Sequence, residues 1–125
     1  MAALAQYVGM PKSASVAIST ANLNRDGVTG VYGTLHTAGA AGARFDRIRV
    51  NALGTTTAGM IRFFVGTALI YELPVLAITA SSSQPVWSAD VDFDKGLTLG
   101  AGIIFKVSTN NAESFAVTTV SGGDF

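Results

Sequence analysis

The stretch from residue 45 to residue 75 constrains the fold most strongly, because apolar and polar side chains alternate along three successive segments. A β-strand points successive side chains to opposite faces, so alternation with a period of two gives one apolar and one polar face. The pattern predicts three consecutive strands, each with one buried face. The residues expected in the core are Ile48, Val50, Ile61, Phe63, Val65, Tyr71 and Leu73.

The second and third segments are expected to form a hairpin. A three-residue turn at residues 66–68 brings their apolar faces into agreement and sets Val65 opposite Leu69. The same register pairs Arg62 with Glu72 across the two strands, a contact worth less than about 1 kcal/mol. We therefore expect this hairpin to set the register of its sheet.

The outer face of this hairpin carries two large apolar side chains, Phe64 and Ile70, beside the predicted ion pair. Apolar groups on an otherwise polar face indicate that something covers them. The cover is either part of the same chain, such as a loop or the N-terminal arm, or another subunit. The sequence pattern is equally consistent with both.

Other alternating segments complete the pattern, and Gly, Ser and Asn residues separate them. About eight short strands without a long helix predict an all-β, antiparallel, two-sheet β-sandwich with jelly-roll-like connections. An immunoglobulin-like strand order remains open. The loop at residues 110–112 is expected to join the last two strands in a hairpin that sets Phe105 opposite Val117.

The chain has 125 residues, enough for one domain with its own core. We expect a flexible N-terminal arm at residues 1–12, a β-sandwich domain at residues 13–121 and a flexible C-terminal tail at residues 122–125. The chain contains no cysteine, so neither disulfides nor thiolate metal sites are expected to hold it together. No signal-like or membrane-spanning stretch is recognisable, which favours synthesis in a cytoplasm.

Charge is sparse and balanced, with eight basic and eight acidic residues. A non-specific nucleic-acid binder usually has a basic excess, and a membrane-surface protein usually has a basic amphipathic helix. Neither feature is present, so neither partner is expected. Because only 13% of the residues are charged, the surface favours association with other protein subunits.

Catalytic and metal-binding constellations are not recognisable, and we expect no cofactor. His36 is the only histidine, and Thr34 and Thr37 stand near it in the sequence. The turn at residues 22–27 resembles the start of a calcium loop, but Gly33 stands where the loop needs a bidentate glutamate. Asp90, Asp92 and Asp94 stand at alternate positions along one strand face, too far apart to converge on one metal ion without a bend, and are therefore expected to form a solvated face. We expect a protein that is not an enzyme.

A carbohydrate- or receptor-binding module is the first alternative function, because sandwiches of this size often bind sugars. Sugar sites favour exposed aromatic rings flanked by amides. The only obvious candidates are Tyr32 and the amides of Asn110 and Asn111.

Several phrases of the sequence are similar to small virion proteins of tailed bacteriophages, usually described as structural, head or decoration proteins. The phrases are TANLNRDG at residues 20–27 followed by DRIRV at residues 46–50, GTTTAGMIR at residues 54–62, and STNNAESF at residues 108–115. The resemblance spans most of residues 20–120. It consists of turn and strand phrases, and none of them is a chemical motif.

The resemblance implies a β-sandwich subunit on the capsid surface, most plausibly a decoration (cement) protein that clamps neighbouring capsid subunits, often as a trimer. A neck, tail or fibre subunit fits nearly as well. The expected partner is the major capsid protein or another virion subunit. The residues expected at the interface are Leu4, Tyr7 and Met10 of the arm, Phe64 and Ile70 of the hairpin, and Phe125 of the tail.

Overall fold

The computed structural model describes residues 8–125, and over this range the regular structure consists of nine β-strands. The strands are β1 (Met10–Pro11), β2 (Ser15–Ile18), β3 (Gly33–Thr37), β4 (Ala43–Ala52), β5 (Gly59–Val65), β6 (Ala68–Val75), β7 (Ser88–Leu99), β8 (Ile104–Thr109) and β9 (Phe115–Asp124). All pairings between these strands are antiparallel.

The strands form two sheets with jelly-roll topology. The first sheet has the order β1-β9-β4-β7, and β2 also pairs with β9. The second sheet has the order β3-β8-β5-β6. Because β1 and β2 both lie along β9, they act as one interrupted strand, and the remaining order is that of two interleaved Greek keys. The predicted all-β, two-sheet sandwich is confirmed.

The core lies between the two sheets and is centred on aromatic side chains. The ring of Phe105 in β8 packs against Phe45, Phe63 and Phe93, with centroid distances of 5.8 to 6.1 Å. Five of the predicted core residues are buried here: Ile48, Val50, Ile61, Phe63 and Leu73. Val65 is only partly buried, and the prediction for Tyr71 is wrong because its residue is 43% exposed. Tyr71 lies on β6, the edge strand of the second sheet, which has a neighbouring strand on one side only.

The hairpin of β5 and β6 confirms most of the predicted register. Arg62 pairs with Glu72 as expected. The register shifts next to Phe63, so the turn contains two residues and Val65 pairs with Ala68 instead of Leu69. Ile70 is the extra residue on β6, which makes the shift a β-bulge. Gly66 has φ 61°, and a two-residue hairpin turn readily uses a glycine with positive φ.

The predicted hairpin between the last two strands is wrong. β8 belongs to the second sheet and β9 to the first, so residues 110–114 cross from one sheet to the other. Phe105 and Val117 are both fully buried, as the alternation required, but they enter the core from opposite sheets instead of pairing across a ladder. Period-two alternation marks the buried face of a strand without identifying its neighbour.

The predicted flexible tail is also wrong, because residues 122–124 are the end of β9 and are buried. Gly123 pairs with Pro11 of β1, and a Cβ atom on Gly123 would lie 2.2 Å from the carbonyl oxygen of Met10. The glycines that suggested flexibility therefore allow close packing of two strands. Residues 8–12 of the predicted arm pack on the same domain, with Val8 buried and the amide of Lys12 donating to Gly122 O.

Candidate interaction surface

A long loop covers the outer face of the second sheet. Residues 19–32, here called the covering loop, leave β2 and return to β3. At its far end Gly27 has φ 72° and lies so close to Thr67 that an added Cβ would be 2.3 Å from the Thr67 carbonyl oxygen. The loop therefore runs from the end of β2 to the β5–β6 turn. Position 27 needs glycine because its φ is positive and because any larger side chain would collide with the Thr67 backbone.

Two polar side chains shape the covering loop internally. Asn22 is 3% exposed, and its amide nitrogen donates to the carbonyl oxygens of Thr29 (3.2 Å) and Val31 (3.0 Å). Asp26 accepts hydrogen bonds from the backbone amides of Val28 and Thr29 and from the Thr29 hydroxyl. The hydroxyl of Thr29, followed by these two amides, holds the pKa of Asp26 well below its ordinary value. The loop therefore forms a turn that the side chains of Asn22 and Asp26 hold together. The carboxylate oxygens of Asp26 already accept hydrogen bonds from this turn.

Arg62 connects the covering loop to the sheet beneath it. Its side chain is 3% exposed, and its Nε donates to Glu72 Oε2 at 2.8 Å. Nη1 donates to the carbonyl oxygen of Asn22 at 3.2 Å, and Nη2 donates to Oδ1 of Asn110 at 3.1 Å. The predicted cross-strand pair is therefore confirmed, but it lies under the loop instead of on a free surface.

Glu72 is shared by two arginines. Arg25 of the covering loop donates to Glu72 Oε2 at 2.6 Å, the same oxygen that accepts from Arg62. Hydrogen bonds from Arg25 and then from Arg62 lower the pKa of Glu72. The carboxylate therefore stays ionised at neutral pH and ties the loop to β6.

An aromatic contact completes the attachment. The ring of Tyr32 meets that of Phe64 edge to face, with centroids 5.1 Å apart, and Lys106 Nζ lies 4.8 Å from the centroid of the Tyr32 ring. Lys106 also donates to the carbonyl oxygen of Gly27. Phe64 is fully buried as a result. The cover that the sequence required over this face comes from the same chain.

The covering loop turns three aliphatic side chains to solvent. Leu23 is 67% exposed, Val28 is 70% exposed and Val31 is 58% exposed. They lie on a loop held by the ion pairs, hydrogen bonds and ring contacts described above. Isolated exposed aliphatic residues are common, but three of them on one firmly held loop are a candidate protein-binding surface.

The structure describes four of the six predicted interface residues and does not bring those four together. Leu4 and Tyr7 lie outside the described residues. Met10 is 53% exposed on β1 and Ile70 is 37% exposed on β6, so the two lie on different sheets. The other two are less accessible: Phe125 is partly buried, and Phe64 is fully buried, which makes its assignment as an interface residue wrong. The described residues of this set do not form one surface.

Three of the residues considered for chemistry, His36, Asp90 and Asp92, have structural partners. His36 Nε2 lies 2.8 Å from Oδ1 of Asp124. Asp90 pairs with Arg49 at 2.8 Å and Asp92 with Arg47 at 2.9 Å, as neighbours across β4 and β7. Among residues 8–125, no three acidic, histidine or cysteine side chains are grouped to hold a metal ion.

The side chains considered for sugar binding also make internal contacts. Tyr32 packs against Phe64, and Oδ1 of Asn110 accepts from Arg62. The amide nitrogen of Asn111 donates to the Thr57 hydroxyl and to the carbonyl oxygen of Ala58. A sugar would compete with these contacts for each of the three side chains.

Sequence reasoning missed the covering loop as a surface. The available signal was a run of 14 residues between two strands, rich in Asn, Asp and Gly yet containing Leu23, Val28 and Val31. A long loop without secondary structure of its own in a compact domain usually has a function. The burial of Asn22 within the loop and of Arg62 beneath it depends on contacts between distant parts of the chain, so no local pattern indicated it.

The fold and surface define an antiparallel jelly-roll β-sandwich with a loop fastened over one outer face. Comparison with models of known protein families gives no match, and comparison with curated protein sequences gives none either. Within residues 8–125 no helix has the length and hydrophobicity needed to cross a membrane.

Proposed function

We propose that this chain is a non-enzymatic structural subunit of a tailed-bacteriophage virion. The specific role proposed is a capsid decoration (cement) protein that binds the outer shell and stabilises neighbouring capsid subunits. The chain would be made in the host cytoplasm and act on the capsid surface. Its partner would be the major capsid protein, or another virion subunit, through protein–protein contacts.

The observation that carries this proposal is the exposure of Leu23, Val28 and Val31 on the covering loop. The jelly-roll topology adds support, because jelly rolls are common in viral capsid domains, although they also occur in lectins. The similarity of four sequence phrases to phage virion proteins favours the viral role.

The size of this surface favours a homo-oligomer, with a trimer as the proposed form. Burying side chains that are about two-thirds exposed stabilises a complex by about 1–2 kcal/mol each, so three contribute about 3–6 kcal/mol. Association costs about 4–15 kcal/mol in lost motion. One copy would therefore bind weakly. Three linked copies share one association cost and bind far more tightly.

Two alternatives remain proposals of the same kind. A neck, tail or fibre subunit would use the same surface against a different virion protein. A carbohydrate- or receptor-binding module is less favoured, because Tyr32, Asn110 and Asn111 are engaged in internal contacts.

Mass measurement in solution, followed by co-sedimentation, tests the proposal. We expect the purified chain to be a trimer, or a monomer that sediments only with assembled heads of the phage that encodes it. Sedimentation with purified tails and not with heads would favour the neck, tail or fibre role. A monomer that binds immobilised glycans and neither particle would overturn the structural role.

A further inference from the structure

We propose that Arg62 is a positioning residue that holds two surface loops in one fixed arrangement. One is the covering loop, and the other is residues 110–114, here called the crossing loop because it joins the two sheets. The two loops are far apart in sequence, and the guanidinium of Arg62 donates to both. No local pattern in the sequence indicates this link.

Each of the three nitrogens of the Arg62 guanidinium donates to a different segment of the chain. Nε donates to Glu72 on β6, Nη1 to the backbone carbonyl of Asn22, and Nη2 to the side chain of Asn110. A guanidinium presents five N–H donors in a rigid plane, whereas a lysine ammonium is a single point on a flexible stem. Arginine can therefore serve three acceptors in different directions at once.

Arg62→Met is expected to loosen the two loops without unfolding the sandwich, because Glu72 keeps a positively charged partner. When Arg62 is replaced by methionine, Glu72 keeps its hydrogen bond to Arg25 and is not left unpaired. Removing one partner of a buried ion pair is costly mainly because it leaves the other charge uncompensated, and here Arg25 still compensates Glu72, so that cost is reduced. Asn22 O and Asn110 Oδ1, in contrast, lose a donor. The expected result is a folded sandwich with two loosened loops.

The part of this inference that concerns binding rests on the proposed function. A pre-arranged surface loses less conformational freedom when it binds than a mobile one does. The loop positions themselves can be measured on the free chain. Failure of the proposed function and failure of this inference are therefore distinguishable.

Residue-resolved amide hydrogen exchange on the Arg62→Met variant is the test. The reporter for the covering loop is the amide of Asn22, which donates to Thr109 O on β8. The reporter for the crossing loop is the amide of Asn110, which donates to Met60 O on β5. We expect exchange at both amides to accelerate by about tenfold or more, because both bonds fasten a loop to a strand outside it.

Two sets of amides serve as internal controls. The amides of Val28 and Thr29 donate to Asp26 within the turn itself, and the amide of Ala52 donates to Trp87 O in the body of the sandwich. Exchange at these positions is expected to stay unchanged. The matched control variant is Arg49→Met, which removes an exposed partner of Asp90 on the opposite sheet and should affect neither loop.

A second variant keeps the test informative if Arg62→Met does not fold. Asn110→Ala leaves Arg62 paired with Glu72 and with Asn22, so exchange should accelerate in the crossing loop alone. Unchanged exchange in both loops of Arg62→Met, or the same response of both loops to Asn110→Ala, would overturn the inference. If wild type binds heads, Arg62→Met should bind at least tenfold more weakly. Equal binding would overturn the positioning role in recognition.

Discussion

His36 Nε2 lies 2.8 Å from Oδ1 of Asp124, which joins β3 of the second sheet to the last residue of β9 in the first. The two side chains are 12% and 10% exposed. The Gly39 amide donates to the same oxygen at 3.0 Å. Since a carboxylate only accepts, Nε2 of His36 carries the proton in this bond. This contact links the two sheets and holds Asp124 in place, within the segment at residues 122–125 that was predicted to be a flexible tail.

Replacing Asp124 by alanine should therefore lower the free energy of unfolding. The variant leaves the His36 ring and the Gly39 amide without an acceptor in a largely buried place, a loss of about 1–3 kcal/mol. Urea denaturation of wild type and variant measures it. Asp92→Ala is the control, because the Asp92 side chain is 60% exposed and its loss should cost much less. Equal losses for the two variants would contradict the assignment.

The stability contributed by Asp124 should disappear in acid. The hydrogen bond from His36, and then that from the Gly39 amide, hold the pKa of Asp124 below its ordinary value. A carboxylate whose pKa is depressed by folding stabilises the native state above its unfolded pKa, near 3.9, and loses this effect as the pH falls further. The difference in unfolding free energy between wild type and Asp124→Asn should narrow as the pH falls below about 4. A difference that stays the same at pH 3 would contradict this.

Gly27→Ala should destabilise the covering loop. The new Cβ would meet the Thr67 backbone at 2.3 Å, and φ 72° is costly for alanine. We expect a loss of about 1–3 kcal/mol in unfolding free energy, measured by thermal or urea denaturation. Gly54→Ala is the matched control, because no atom lies within 4 Å of its added Cβ, and it should be neutral or slightly stabilising. The reverse order of effects would show that the loop does not approach the turn.

Truncation of Phe64 tests whether the outer face of the hairpin is covered. Phe64 is fully buried under Tyr32, so Phe64→Ala should cost about 3–5 kcal/mol, as in a core. Ile70 is 37% exposed on the same hairpin, so Ile70→Ala should lower the free energy of unfolding far less. Chemical denaturation of both variants provides the comparison. Similar small effects would mean that Phe64 is accessible.

The alternation of side chains was sufficient to predict the all-β sandwich and most of the buried face, because burial on one side of a strand has a period of two. It was not sufficient to place β8 and β9, since Phe105 and Val117 are buried whether their strands pair in one sheet or lie in opposite sheets. The predicted three-residue turn at residues 66–68 is one residue too long, because Ile70 is the extra residue of a β-bulge and Val65 pairs with Ala68. The first error concerns which strands are neighbours, which long-range packing decides, and the second concerns the register within one correctly predicted hairpin.

The candidate surface was less predictable than the fold. The pairing of Arg62 with Glu72 follows from local register, and the sequence also indicated that Phe64 needed a cover. Which segment supplies that cover depends on contacts of Asn22 and Tyr32 with distant strands. The exposure of Leu23, Val28 and Val31 became recognisable only once the loop had been placed over the sheet.

Co-sedimentation with phage heads tests the central claim most directly when the covering loop is altered. The test variant replaces Leu23, Val28 and Val31 by serine, and the control is Val120→Ser, which changes a 48% exposed residue on β9 of the other sheet. Both should fold, since all four side chains are largely exposed. We predict that wild type and Val120→Ser bind heads while the triple variant does not. Binding of the triple variant with wild-type affinity, or no binding by wild type, would contradict the account.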